Sequence, residues 1–555
     1  MANDYIPQFE QIEVNTPDRN AFNLSHSVRS SMNFGKLYPI FCEKVVPGDS
    51  WQINTESFIR TSALVSPVMG SVNYHVHFFF VPNRIIWKYN EEYLGGGKDG
   101  LLAPVPPYFK YNAVATSGSN YLFRKGTACD YMGIPPIDQS IYTPTGTTAT
   151  NDEPINMLPF FAYNKIYADY YLDENLGNLM SSYPTERFVH PMDVVGDLDL
   201  DTRSALYKNF TTLRYRSFEK DYFTSALPFV QRGQASAITL RDAVVKLADN
   251  GGSQVLKNAT NTGYVATTHT DLQQSTSHSL CLSNGSASIG ALLDPNGTLS
   301  VSNANFTIND LRKANALQRF LERDAIAGYR NIEIIYSHFG IMSEDNRLQR
   351  SEYLGGMKTP ITIGDVVQTE PSSSSPAGSM AGKGTAYGQS DTIRLDSKEY
   401  GWLLGIASIL PRTEYHQGLP RKFSVFDRFS EYWPEYAHLG EQEVLNKELW
   451  FLPTSSDSVR NDVFGYQSKY VEYKQIPNRI CGEMRDSLST WNLARTFSSR
   501  PTLNNSFVLC NPDSGSTDMY RVFAYTGNDY DHFYVNTAFD ISVLRMMPIF
   551  GTPAL

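Results

Sequence analysis

The chain carries few charges for its length. Of 555 residues, 47 are Lys or Arg and 57 are Asp or Glu, 19% in all, against about a quarter in ordinary soluble domains. The formal balance is −10. That argues against a surface made to bind nucleic acid all over, and it leaves room for a local basic patch on one face. Cysteine is scarce. Cys42, Cys129, Cys281, Cys481 and Cys510 are scattered, odd in number and without a CxxC spacing. This speaks against a disulfide framework or a zinc site and suits a reducing compartment. Long apolar runs are missing: no stretch approaches the ~20 residues of a membrane span. Residues 1–20 contain acids and no apolar run, so no signal peptide and no membrane insertion are expected.

Catalytic signatures are missing too. Neither GxSxG nor HExxH occurs. Residues 377–385 (AGSMAGKGT) approach a phosphate loop, but Ala377 stands where Gly is required and Gly384 where Ser or Thr is required. Gly382, Gly384 and Gly388 miss GxGxxG by one position. Residues 371–390 are therefore expected to be a flexible loop. His75 and His77 lie two apart, on one face of an expected strand. That geometry can hold a metal, but no third ligand lies nearby in sequence, and histidines at a subunit contact are the plainer expectation. The acid pairs Glu322/Asp324 and Asp173/Glu174 resemble glycosidase carboxylates, yet each has Arg or Asn beside it, as in a solvated helix face or a structural ion pair. No cofactor is expected.

What the chain does have is aromatic residues, 13%, with 34 Tyr and 31 Phe. With few charges and many turn residues, this predicts a β-rich protein with long ordered loops and large contact surfaces. Residues 72–81 (VNYHVHFFFV) are the clearest strand: Val72, Tyr74, Val76, Phe78 and Phe80 share one face, and Pro82 ends it. Pro47-Gly48-Asp49 marks a turn. Trp402–Leu410, Phe507–Cys510 and Val522–Tyr525 read as further short strands, and 437–449 and 487–497 as helical pieces. Residues 159–180 read as a helix, with Pro159 in the first turn and Phe160, Tyr163, Tyr167 and Tyr171 at helical steps. The strongest helix is 307–327, with Thr307 and Asp310 as a capping pair and Ile308, Leu311, Ala314, Leu317 and Leu321 as its stripe. Between 250 and 305, 29 of 56 residues are Gly, Ser, Thr or Asn. Scattered Leu, Ile and Val there are consistent with short strands joined by turns in an inserted, exposed subdomain. No βαβ rhythm appears, and strands separated by long connections suit a jelly roll.

One basic region stands out. Arg312, Lys313, Arg319, Arg323 and Arg330 lie along or just past the helix, with Phe320 and Tyr329 among them. Such a mix can hold single-stranded nucleic acid by phosphate charge and base stacking, or it can form salt bridges between subunits.

Several strings resemble the major capsid protein of microviruses, in the gokushovirus branch. They include Phe22-Asn23-Leu24-Ser25-His26, Phe78-Phe79-Phe80-Val81-Pro82-Asn83-Arg84, Asp221-Tyr222-Phe223-Thr224-Ser225-Ala226-Leu227-Pro228, Ser337-His338-Phe339-Gly340, Glu352-Tyr353-Leu354-Gly355-Gly356 and Ala437-His438-Leu439-Gly440-Glu441-Gln442. They run through almost the whole chain in the family's order. The resemblance implies a mainly β fold: a single eight-stranded antiparallel jelly roll with long loop insertions and a few helices. It implies a body of residues 1–232 and 307–555, with 233–306 inserted as a surface subdomain that clusters at three-fold axes and contacts the host. It also implies a homo-oligomeric T=1 icosahedral shell around circular single-stranded DNA, assembled in the bacterial cytoplasm. The implied partners are an internal scaffolding protein, a DNA pilot protein and a host-cell surface receptor. The insertion does not match the family residue by residue, so no receptor-binding residue is carried over. Two other expectations compete: a carbohydrate- or receptor-binding β protein of a phage surface, which would bind glycans and form no shell, and a glycan-degrading enzyme, which would need a carboxylate pair in a cleft.

Overall fold

The computed structural model describes residues 18–94, 103–111, 124–136, 153–173, 175–176, 192–196, 210–231, 244–247, 257–258, 271–274, 280–283, 288–292, 299–302, 308–327, 350–370, 377–454, 456–512, 518–526 and 530–550. The chain divides into two compact units, Met1–Val230 with Ala325–Leu555, and Gln231–Asp324.

The first unit is built on ten strands: β1 (Asn20–Asn23), β2 (His26–Met32), β3 (Tyr38–Val45), β4 (Ser50–Thr61), β5 (Val72–Pro82), β6 (Glu352–Val367), β7 (Met380–Gln389), β8 (Ile393–Asp396), β9 (Gly401–Pro411) and β10 (Phe533–Arg545). Every pairing is antiparallel, along the path β1–β10–β4–β7–β6–β5–β9–β3. β2 continues β1 along the same edge of β10, and β8 continues β7 along the same edge of β4. The ten strands thus fill eight lanes, and the mainly β, jelly-roll-like fold is the expected one. β6 carries the chain around the curl: Glu352–Ile361 pair with β5 and Thr362–Val367 with β7. The far ends of the path face each other. Phe539 on β10 lies 5.1 Å from Phe41 on β3 and 6.3 Å from Phe78 on β5, ring centre to ring centre, and the Tyr74 hydroxyl is 3.5 Å from Thr537 Oγ1.

The pattern that makes these strands is period two. In β4, Trp51, Ile53, Thr55, Ser57, Ile59 and Thr61 turn inward, and in β10 Phe533, Val535, Thr537, Phe539, Ile541 and Val543 do the same. β10 has the cleanest alternation in the chain, and the motif reading above did not pick it out. β7 corrects the loop expected at 371–390: residues 380–389 form a strand between β6 and β4, while 371–376 lie outside the described residues. Its glycines look like loop composition, but they serve close packing. A Cβ on Gly388 would lie 1.9 Å from Thr359 Oγ1, and one on Gly384 would lie 2.5 Å from Thr61 Cγ2.

β5 and β9 are covered on both faces. The second cover comes from helix α1 (Leu158–Ile166) and the single π-turn Tyr167–Tyr171. The helix expected over 159–180 therefore stops earlier. Asp173 accepts from the backbone N–H groups of Asn175 and Leu176, a local turn that competes with helix. Asp169 pairs with Lys165 at 3.0 Å and accepts from the Ser351 N–H, which ties this segment to the start of β6.

The long connection from β9 to β10 holds a second core with residues 222–226, including Phe223, Tyr415, Val444, Phe464, Phe497 and Phe507. Phe507–Val508 are helical rather than extended, and Tyr520–Val522 form a 3₁₀ turn. Within 437–449 a strand, Glu441–Leu445, precedes a short helix, Asn446–Leu449; within 487–497 only Ser489–Trp491 is helical. The string 221–228 has a clear task here: the Asp221 carboxylate accepts from the N–H groups of Phe223 and Thr224 and from the Tyr415 hydroxyl, which locks the turn to the chain after β9.

In the second unit, Asp271–Gln274, Leu280–Ser283, Ser288–Leu292 and Lys257–Asn258 form a four-stranded antiparallel sheet in that order, and Val244–Leu247 pairs with Leu299–Ser302. The Gly/Ser/Thr/Asn-rich tract thus does carry short strands. Helix α2 (Ile308–Ala327) contributes its residues through Asp324 to this unit, whereas the resemblance implies a body that resumes at 307.

Candidate functional sites

Of the histidine pair on β5, His75 is buried and His77 partly so. His77 Nδ1 is 2.8 Å from the Tyr171 hydroxyl. His75 Nε2 lies 3.8 Å from Glu219 Oε1, which also pairs with Lys358. Burial, then Arg216, His77 and Lys358, pull the His75 pKa down to about 3; burial and Arg216 pull His77 down to about 4. Both rings are therefore neutral at physiological pH. Among the described residues, no group of three His, Cys, Asp or Glu side chains could hold a metal.

This neutrality has a pH consequence. In the unfolded chain each ring binds a proton near pH 6.5, whereas in the fold it does so only near 3 or 4. Acid thus favours the unfolded chain, and stability falls as pH drops below 6.5, by at most about 1.4 kcal/mol per pH unit for each ring. The decline ends near pH 4 for His77 and near 3 for His75. Burial raises the carboxyls of Glu43, Glu414 and Glu448, and these groups work in the opposite direction. A His75→Gln/His77→Gln variant should show a smaller drop in melting temperature between pH 7 and pH 5 than the parent. An equal drop would remove the pair from the account.

The acid pairs do not form a catalytic dyad among the described residues. Asp173 is bonded to Lys220, and Glu322 accepts from Gln318 one turn earlier at 2.9 Å; Asp324 as a side chain and Glu174 lie outside the described residues. Thr307, one half of the expected capping pair, lies outside them as well.

Of the basic group, Arg312, Lys313, Arg319 and Arg323 are exposed on α2, and Arg330 lies outside the described residues. Arg312, Arg319 and Arg323 are seven and four residues apart, so they share one helical stripe. Phe320, beside Arg319, is half exposed. Arg350, further along, belongs to the body, where its guanidinium lies 4.1 Å from the Tyr170 ring centre.

Among the described residues, the features that emerge are a strand scaffold, ordered loops and exposed surface. Comparison with known proteins gives these a context. The family described as capsid protein (F protein) matches residues 10–555. The chain belongs to this phage capsid protein family. It is 33% identical to capsid protein VP1 of Bdellovibrio phage phiMH2K over 566 aligned positions, covering 98% of this chain and 97% of that one. It is 30% identical to capsid protein VP1 of Chlamydia phage 1, covering 99% and 97%, and 27% identical to capsid protein VP1 of Spiroplasma virus 4, covering 100% and 98%. The chain is thus a microvirus major capsid protein, a homo-oligomeric component of the virion.

For a capsid protein, exposed apolar surface is the feature to explain, and motif reading missed one aromatic row of it. In the connection from β9 to β10, Phe423, Phe426, Phe429 and Tyr432 recur at every third position and all are exposed, as is Trp433. Beside them lies a pocket of about 420 Å³, floored by Tyr222, Phe223 and Tyr415. The three-residue recurrence is visible in the sequence; its exposure is not.

Proposed function

We propose that many copies of this capsid protein close into a T=1 icosahedral shell around a circular single-stranded DNA genome, and that the protein acts structurally rather than as an enzyme. The observation that carries this reading is similarity to phage capsid proteins along residues 10–555, together with the jelly-roll-like body. Assembly takes place in the bacterial cytoplasm on an internal scaffolding protein, with a DNA pilot protein enclosed. The insertion at 233–306 forms a protrusion at the three-fold axes and contacts a host-cell surface receptor. The Arg312, Lys313, Arg319, Arg323 and Arg330 region binds genome phosphates, with Phe320 available for base stacking.

Electron microscopy of the chain co-expressed with its internal scaffolding protein should show closed particles; a monomer under every such condition overturns the reading. The basic stripe has its own test. Particles of an Arg312→Gln/Arg319→Gln/Arg323→Gln variant should hold less DNA, read from the ratio of absorbance at 260 and 280 nm, and should attach to host cells normally. Normal DNA content with lost attachment would place the stripe on the host-facing side instead.

A further inference from the structure

The exposed aromatic row and the pocket beside it lie on one face of the first unit. Phe426 is 93% exposed, yet the preceding residue, Val425, lines the pocket, as do Phe423, Tyr473 and Ile476. Ile476 is itself 82% exposed. The row connects to the pocket wall through Tyr432, whose ring centre is 6.2 Å from that of Tyr473. Together these side chains present roughly 700 Å² of largely apolar surface, taking Phe, Tyr and Trp at about 150–250 Å² each. That exceeds the largest patch on a typical monomer, about 300–600 Å², and approaches the ~800 Å² per partner of a standard interface.

Charge narrows the occupant. Between 421 and 436, Arg421, Lys422 and Arg428 are balanced by Asp427, Glu431 and Glu435, and elsewhere in the pocket lining Arg479 and Arg485 are balanced by Glu448 and Glu472. A neutral, aromatic face is poorly suited to a polyanion and well suited to a copy of itself. We infer that this face is a reciprocal contact between two copies of the chain, in which Phe426 of each copy enters the pocket of the other. The symmetry follows from adjacency. A knob and a hole on the same face, one residue apart in the chain, are filled together when that face meets its own copy across a two-fold axis, the self-complementary arrangement of a symmetric contact. Asp427, next to the knob, then meets the basic residues Lys422, Arg479 and Arg485 that line the pocket of the other copy. This inference rests on the shell reading above, since it supplies one of the contacts that shell requires.

Cys481 makes the contact testable. It is exposed and lines the pocket. In assembled particles, mild oxidation of a Phe426→Cys variant should give a band at twice the chain mass on a non-reducing gel. The band should be absent from the parent and from Phe426→Cys/Cys481→Ser. A Phe426→Ser variant should remain soluble, because the ring is exposed, and should lose on the order of tenfold or more in particle yield, as expected for a buried anchor. If the parent assembles but the band is missing, or persists without Cys481, or appears at the mass of the chain plus scaffolding protein, the reciprocal contact is overturned while the shell reading stands. If the parent forms no particle, both fall.

Discussion

Gly35→Ala should leave no folded, soluble chain. Gly35 has φ +74°, a conformation that costs an L-residue about 1–2 kcal/mol. The larger cost is steric. A Cβ at this position would lie 1.6 Å from the carbonyl oxygen of Cys510, and backbone cannot swing aside as a side chain can. The Gly35 N–H donates to Ile409 O at 2.9 Å, its carbonyl accepts from the Arg216 N–H at 2.7 Å, and the Cys510 N–H donates to Arg216 O at 2.9 Å. Four segments cross at this point: the chain before β3, the end of β9, residues 214–217 and residues 509–511. Relief would have to break several of these bonds together. We expect a loss above roughly 5 kcal/mol, the sum of strain, overpacking and unpaired backbone groups, which is comparable to the whole stability of many domains. Gly133→Ala is the control. Its φ is also positive, at +93°, but nothing lies within 4 Å of the added carbon, so only the backbone term of about 1–2 kcal/mol should appear. Soluble yield and thermal melts of the two variants decide this; a folded Gly35→Ala chain would show that the crossing can yield.

Asp49→Ala is the second large effect. The Asp49 carboxylate is fully buried and takes a two-pronged bond from Arg545, 2.9 Å from Nε and 2.8 Å from Nη2. It also accepts from the Val46 N–H at 3.0 Å and from the Trp51 indole at 3.3 Å. One side chain thus closes the Pro47–Gly48 turn and anchors the last residue of β10. Its removal leaves a largely buried guanidinium and two donors without an acceptor, at a cost of about 3–5 kcal/mol. Arg545→Met should cost less, because Asp49 keeps its turn and indole partners. The double variant should then cost less than the two single changes added together. Urea or thermal unfolding of the three variants measures the coupling, and strict additivity would mean that the pair does not act as a unit.

Some of this was legible beforehand. The strand at 72–81 and the helix at 307–327 stand where their periodicities place them, because alternation and a 3.6-residue stripe are local properties. β7 was hidden because Gly382, Gly384 and Gly388 read as loop, and the reasons for them are distant in the chain: the Ser66 carbonyl beside Gly382, Thr61 beside Gly384 and Thr359 beside Gly388. β10 was hidden in a different way. Its outward Asn536, Asp540 and Ser542 dilute the apolar signal, although the inward positions alternate without a break. The histidine pair showed its spacing but not its burial, since its second cover, α1 with its π-turn, is nearly a hundred residues away.

By itself, the sequence determined the strand-rich class, the scarcity of charge, the absence of a catalytic motif among the patterns sought, and the order of strings that resembles microvirus capsid proteins. Each of these is written in composition or in short spacings. Only the tertiary structure decided that β5 and β9 are covered on both faces, that Asp49 holds the end of the chain's last strand, and that Phe426 stands exposed beside a pocket while Phe423 helps line it. The physical reason is that alternation defines two faces of a strand without saying what will cover either one. An aromatic residue has the same identity in a core and on a contact surface, and which it becomes depends on residues hundreds of positions away.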